Sequence, residues 1–214
     1  MTGSQLPALQ VVLPLLAAPV AMLVPSRRFA RVLALAVAWM CCATAVTLLM
    51  QVQASGPISY AFGGWAAPYG IEYRVDLANA FVLVLVSTVA SVVLFFGPGS
   101  AGAQVPESRV HLFYAMLLLC LTGLLGMAIT GDLFNVFVFL EISSLSSYTL
   151  VGMGSNRRAL TAAFSYLVMG SVGGIFVLLG IGILYQLTGT LNIQDLAGRL
   201  PMSTTSERWS WHWV

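Results

Sequence analysis

The composition of this 214-residue chain is that of an integral membrane protein. Hydrophobic residues make up 59% of it and charged residues only 7%, whereas a soluble domain carries about 25% charged residues. The net charge of +2 is too small to favour a nucleic-acid partner, and all nine basic residues are arginine. The chain is therefore expected to lie in a lipid bilayer and to bind no nucleic acid.

Six apolar runs follow one another along the chain, each near or above the ~20 residues that a helix needs to cross a bilayer. They cover residues 6–24, 30–52, 77–96, 110–130, 133–154 and 160–187. An outer-membrane barrel would need short alternating segments instead. We predict an all-α, polytopic membrane protein with about six transmembrane helices, the first of them bent at Pro14 or Pro19.

The arginines predict the sidedness of these helices. The odd-numbered loops hold most of them, namely Arg27, Arg28, Arg31, Arg109, Arg157 and Arg158. The second loop has only Arg74 and the fourth has none. Because cytoplasmic loops carry an excess of basic residues, we expect the odd loops to be cytoplasmic and both termini to lie outside.

The longest polar connection, residues 53–76, predicts a small hairpin on the outer surface. Two short aromatic segments flank a turn at 68–70, and the second segment alternates apolar with charged residues. Its charges fit either a solvated, self-paired edge or a role in partner docking or ion entry. Residues 188–200 predict a short amphipathic helix on the same interface, with Leu191, Leu196 and Leu200 as its apolar contacts.

The last fourteen residues, 201–214, change character and hold three of the five tryptophans. They fit an interfacial anchor or the scar of a truncation. We therefore divide the chain into a transmembrane region, 1–200, and a divergent tail, 201–214.

Glu141 is the residue that most strongly indicates function. It lies in the otherwise uncharged run 133–154, about 13.5 Å along a helix from Asp132 and so near the membrane midplane. A carboxylate there costs about 2.5–3.5 kcal/mol on insertion scales, which makes an intramembrane acid a functional hypothesis by default. Asp132, at the start of the helix, is expected to cap it.

The helical face of Glu141 also carries polar side chains. Ser144 and Tyr148 share it at helical spacing, and their hydroxyl groups can order water or hydrogen-bond a carboxyl group. Two hypotheses follow: Glu141 binds and releases protons, or it stays protonated and only fixes helix packing. No catalytic, cofactor or metal constellation accompanies it.

The sixth run is rich in glycine. Gly170 and Gly174 have the small-xxx-small spacing that lets a neighbouring backbone approach closely. A water-lined path beside Ser165 or Ser171 is the alternative interpretation.

Residues 130–148 carry a family resemblance. Their sequence, TGDLFNVFVFLEISSLSSY, resembles the fifth-helix motif of antiporter-like proton-translocating subunits. It is most similar to the D subunit of multi-subunit (Mrp-type) sodium/proton antiporters, whose relatives include membrane subunits of hydrogenases and of respiratory NADH:quinone oxidoreductase. Segments 63–76 and 184–196 agree with the same pattern.

The resemblance implies a fold of about fourteen helices built on two inverted five-helix repeats. It implies a cation/proton antiport subunit in a bacterial cytoplasmic membrane, with other subunits of a hetero-oligomeric complex, protons and sodium as partners, rather than an enzyme. In that family the glutamate matching Glu141 modulates proton transfer by pairing with a lysine of the seventh helix. This chain has six predicted helices and no lysine, so the partner must come from elsewhere.

Three interpretations remain open from the sequence. The chain is a truncated or split antiporter subunit, a non-transporting structural or remnant protein, or a membrane subunit of an energy-converting oxidoreductase or hydrogenase.

Overall fold

The fold is helical throughout its membrane region. A computed structural model describes residues 5–65, 70–97 and 105–203, with side chains to residue 200. Within these ranges, six helices are long and apolar enough to cross a membrane, which confirms the prediction. They are α1 (Leu6–Leu23), α2 (Arg27–Ser55), α3 (Leu77–Phe96), α4 (Val110–Ile129), α5 (Leu133–Gly152) and α6 (Arg157–Thr188). A shorter helix, α7 (Ile193–Ser203), follows.

Two helices are longer than the apolar runs that predicted them. α2 begins at Arg27 and α6 at Arg157, because polar residues at a helix end can extend it beyond the hydrocarbon. At about 1.5 Å per residue, α6 is roughly 48 Å long, against a hydrocarbon core of about 30 Å. It must therefore project into the interface or tilt.

Side-chain caps fix where several of these helices begin. Asp132 precedes α5 and accepts a hydrogen bond from the Asn135 amide at 2.8 Å, which confirms its predicted capping role. Asp76 caps α3 in the same way, accepting from the Asn79 amide at 2.8 Å. The cap residues thus fix where α3 and α5 begin.

Packing among the helices depends on small residues. α4 lies at the centre of the described bundle and packs against α1, α2, α3 and α5, whereas α6 packs chiefly against α5. A Cβ atom on Gly126 of α4 would overlap the Phe139 ring of α5. The buried face of α2 is largely alanine, which allows close helix contact without a driving hydrophobic force between helices.

α1 and α2 are joined by a buried polar contact. The Gln10 side chain, which is fully buried, donates to the Cys41 carbonyl at 3.1 Å and accepts from the Thr44 hydroxyl. The amide is thereby satisfied within the membrane region, as a buried polar group requires. α1 continues as one helix through Pro14 and Pro19.

The loops sort onto two ends of the bundle. At one end, Arg27, which follows the first loop as the first residue of α2, forms a 3.0 Å ion pair with Glu107 of the third loop. At the other, the predicted hairpin is present: β1 (Ile58–Ala61) pairs antiparallel with β2 (Glu72–Val75). Of its predicted turn, residues 68 and 69 lie outside the described ranges.

The hairpin is part of a larger cluster, which we call the loop platform: residues 72–75, 130–133 and 190–193. The Gly131 amide donates to the Glu72 carbonyl at 2.8 Å, and the Leu133 amide to the Leu191 carbonyl at 2.9 Å. Backbone bonds thus join the hairpin, the α4–α5 loop and the α6–α7 loop.

Glu72 corrects the interpretation of the hairpin charges as a solvated edge. It is only 9% exposed, accepts hydrogen bonds from the Ser59 hydroxyl and the Asn192 side-chain amide, and so belongs to the interior of the loop platform. Burial also raises the pKa of Tyr73, in the same strand, to about 12.

α7 confirms the predicted short amphipathic helix. Leu196 is buried, whereas Leu200 is 37% exposed and Leu191 precedes the helix. The Arg199 guanidinium donates to Asp195, which holds the pKa of that carboxyl below its usual range, and to the Thr188 carbonyl at the end of α6. Residues 204–214 of the tail lie outside the described ranges.

Candidate functional site

Glu141 lies at the centre of α5, the ninth of its 20 residues. Its side chain is half-buried between α5 and α6. It is the one acidic residue within the six membrane helices, since Asp76 and Asp132 cap helix ends outside them. Glu141 is therefore central in its helix, and its position at the membrane midplane remains a prediction.

The carboxyl group of Glu141 lies directly against the backbone of α6. A Cβ atom added to Gly174 would overlap the Glu141 Oε1 atom and lie 3.4 Å from its Cδ. One turn away, a Cβ on Gly170 would overlap the hydroxyl of Tyr148. The two glycines thus admit polar side chains of α5, where the small-xxx-small spacing had suggested a neighbouring backbone.

A groove of about 450 Å³ runs beside these contacts, between α5 and α6. Its polar lining comes from serine and tyrosine hydroxyl groups, and its floor on the α6 side comes from glycine. The lining residues are Leu140, Ser143, Ser144, Ser147, Tyr148, Tyr166, Gly170, Gly173, Gly174 and Val177. The groove is large and polar enough to hold several waters.

The hydroxyl groups in the groove differ in how they are engaged. Ser147 donates to the Ser143 carbonyl at 2.8 Å, and Cys120 of α4 lies 3.4 Å from the Ser147 hydroxyl. Ser144 and Glu141 have no side-chain hydrogen bond to any residue that the structure describes. These two groups are therefore free to bind water or a partner side chain.

Two of the predicted supporting residues line the groove beside Glu141, and the third lies away from it. Ser144 and Tyr148 line the groove, and the Tyr148 ring packs edge-to-face on Tyr166 with centroids 4.9 Å apart. Asp132 lies apart from the groove, at the N-terminal end of α5, as a cap. Ser165 and Ser171, the alternative path residues, are exposed and do not line the groove.

Sequence reasoning missed the buried polar residues away from Glu141. Gln10 is a lone amide within the first apolar run, and that polar interruption was the available signal. Glu72 and Asn192 lie 120 positions apart, and no local pattern connects them. The described residues hold no group of three or more metal-ligating side chains.

The fold and the site define a class: a polytopic helical membrane protein with one ionisable side chain inside a transmembrane helix, next to a polar groove. A family model described as "NADH:quinone oxidoreductase/Mrp antiporter, TM" matches residues 130–212, which include all of α5 and α6.

Two relatives match nearly the whole chain. The NADH-quinone oxidoreductase subunit N of Desulforudis audaxviator is 41% identical over 202 residues, which cover 92% of this chain and 40% of that protein. An antiporter subunit, mnhD2, of Staphylococcus haemolyticus is 36% identical over 201 residues, covering 92% and 39%.

Two solved structures are also similar to nearly the whole chain. The chain superimposes on the membrane-bound sulfane sulfur reductase, an archaeal respiratory membrane complex, with a TM-score of 0.82 and 30% identity, over 91% of this chain and 40% of that one. The Mrp complex from Dietzia sp. DQ12-45-1b gives a TM-score of 0.78 and 25% identity, over 94% and 40%.

Over nearly its whole length the chain is thus similar to antiporter-like membrane subunits of NADH:quinone oxidoreductases and Mrp antiporters. It spans about two fifths of the length of the curated relatives it matches. The expected fold, an all-α polytopic membrane protein with about six transmembrane helices and an antiporter-like arrangement, is confirmed.

Proposed function

We propose that this chain forms part of a membrane subunit of a monovalent cation/proton antiporter complex and that Glu141 exchanges protons there. The observation that carries the proposal is the setting of Glu141: a half-buried carboxyl group at the centre of a membrane helix, next to a hydroxyl-lined groove. The similarity to antiporter-like subunits supports the same function.

The chemistry of the site favours proton exchange over a packing role. A buried carboxyl group that fixes packing is normally hydrogen-bonded, as Glu72 is in this protein. Glu141 has no such bond, and no ion pair, within the described part of the chain. A half-buried carboxyl group beside a space for water has a route by which protons arrive and leave.

The charge that complements Glu141 must come from beyond the residues described here. The chain has no lysine, and the arginines of the six helices all lie at helix ends, in α2 and α6. We propose that another helix or subunit packs on the exposed side of α6 and supplies a basic group. Of the 32 residues of α6, only Gly174 and Ile181 are buried in the described structure.

The first test is Glu141→Gln in the assembled complex, which keeps the shape of the side chain and removes its proton exchange. Everted membrane vesicles are energised to form a pH gradient, and its decay on addition of sodium is followed with a pH-sensitive dye. We expect Glu141→Gln to reduce this exchange by about 10²-fold or more, with normal amounts of assembled complex.

Glu107→Gln provides the matched control. Glu107 is also an acid, but its side chain is 84% exposed and pairs with Arg27 at a loop. It should retain exchange close to that of the native complex. Full sodium-dependent exchange in Glu141→Gln would remove the proton role.

A second candidate is a membrane subunit of a redox-driven complex, which the resemblance to an oxidoreductase subunit and to a respiratory complex favours. The same vesicles separate the two. Antiport responds to sodium in the absence of an electron donor, whereas a redox-driven subunit builds a gradient only when the donor is oxidised. In either case Glu141→Gln should abolish the proton movement.

A further inference from the structure

The glycines of α6 fall into two groups that the sequence does not distinguish. Gly173, Gly180 and Gly182 face open space, and a Cβ atom at any of them would meet nothing within 4 Å. Gly170 and Gly174 face α5, and a Cβ atom at either would overlap a polar side chain. The requirement for glycine is therefore local to the contact with α5.

Gly174 has the closer relation to the candidate site. It is one of two buried residues on α6. Besides Glu141, the next atom that its Cβ would approach is Cε2 of Phe137, at 3.8 Å, an ordinary contact distance. An alanine there would thus conflict with the carboxyl group of Glu141 and with little else.

The expected response to that conflict is movement of the carboxyl group. The overlapping atom is the end of a flexible side chain, which rotates more easily than two packed helices separate. The carboxyl group would leave the backbone of α6 and change its position relative to the groove that Gly174 also lines.

We propose that Gly174 is a positioning residue for Glu141: because it has no side chain, the carboxyl group can lie against α6 at the edge of the groove. One turn earlier in α6, Gly170 leaves room in the same way for the hydroxyl group of Tyr148. This inference rests on the proposed function, since it assigns Gly174 a role in the proton exchange by Glu141.

The test compares Gly174→Ala with Gly198→Ala in the assembled complex. Gly198 lies in α7, is exposed, and has nothing within 4 Å of an added Cβ atom. Both changes add one methyl group and the same helix preference to a helix, but only the first meets Glu141. We expect Gly174→Ala to lower sodium-dependent proton exchange by about tenfold or more, because small displacements of a reacting group are costly. Gly198→Ala should change the exchange by less than about twofold.

The rescue experiment repeats Gly174→Ala in a Glu141→Asp background. The aspartate side chain is one methylene shorter and leaves room for the added methyl group. Gly174→Ala should therefore lower the proton exchange of Glu141→Asp by less than about twofold. A double-mutant cycle then measures the coupling between the two positions. If Gly174→Ala prevents assembly, recovery of assembled complex in the double variant supports the contact, and no recovery contradicts it.

Carbodiimide labelling gives a readout that does not depend on transport. A hydrophobic carbodiimide reacts with protonated carboxyl groups inside membranes, and mass spectrometry measures modification of Glu141 at a series of pH values. The profile should shift in Gly174→Ala and stay unchanged in Gly198→Ala. If both variants match the native profile and transport, Gly174 does not position Glu141, even where Glu141→Gln abolishes exchange. Normal exchange in Glu141→Gln would instead refute the proposed function, and the labelling still decides the contact.

Discussion

Two acids of this chain, Glu141 and Glu72, show how partners decide what a buried carboxyl group does. Glu72 is 9% exposed and accepts hydrogen bonds from Ser59 and Asn192, which hold both of its oxygens. Glu141 is half-buried without such bonds in the described structure. The first carboxyl group fixes the two strands of the hairpin to the α6–α7 loop, and the second is available for exchange.

Asn192 allows the structural role of Glu72 to be tested. Its Oδ1 atom accepts from the amides of Gln194 and Asp195 and so caps α7, while its Nδ2 atom donates to Glu72 at 3.0 Å. Asn192→Asp keeps the cap and adds a charge that suits a helix N-terminus, but it turns a carboxylate toward Glu72. We expect it to destabilise the protein by roughly 1–3 kcal/mol, seen as a lower thermal unfolding midpoint in detergent.

The control for that experiment is the same change in a Glu72→Gln background. The amide introduced at position 72 can donate to the new carboxylate, so most of the lost stability should return. A midpoint in Asn192→Asp equal to that of the native protein would show that the Glu72 contact contributes little.

At the scale of elements, the membrane helices could be predicted because each is a local pattern of about 20 apolar residues. The hairpin and the Asp132 cap were predictable for the same reason, since turn residues and caps act within a few positions. Helix ends were less accurate: the arginines that start α2 and α6 belong to the helix although they are not apolar.

The loop platform could not be predicted, because its hydrogen bonds join residues 72, 131 and 191, which are far apart in sequence. The role of the α6 glycines was half-predicted. Their spacing indicated close approach, but only the three-dimensional arrangement shows that Glu141 and Tyr148 occupy the space. Contacts between elements that are far apart in the sequence could thus not be predicted from it.

For the whole molecule, the arginine distribution predicted which loops share a side. The Arg27 to Glu107 ion pair joins the start of α2, next to the first loop, to the third loop, and the loop platform joins the second, fourth and sixth connections at the opposite end. The grouping of the loops is therefore confirmed, and the assignment of the arginine-rich end to the cytoplasm remains a prediction from the positive-inside rule.

Cysteine labelling of intact cells tests that orientation. With the native residues Cys41, Cys42 and Cys120 replaced, single cysteines are introduced by Gln194→Cys at the loop-platform end and by Ser155→Cys at the arginine-rich end, both at exposed positions. A membrane-impermeant thiol reagent should label the first from outside and the second only after permeabilisation. The reverse pattern would invert the predicted topology.

The molecule as a whole joins a hydrogen-bonded loop platform at one end to a polar site at its centre. The loop platform and the Asp132 cap hold the start of α5, α4 packs along it, and Glu141 lies halfway along α5, against α6. α6 itself is largely uncovered in the described structure, as the proposal of a further helix or subunit packing there requires.

Infrared difference spectroscopy of the complex follows the protonation of Glu141 itself. A protonated carboxyl group in apolar surroundings gives a carbonyl-stretch band separate from those of the amides and of carboxylates. We expect such a band that loses intensity as the pH is raised through the range in which the complex transports, and that is missing in Glu141→Gln. A band assigned to Glu141 that stays constant across that range would show a permanently protonated, structural residue and would refute proton exchange by Glu141.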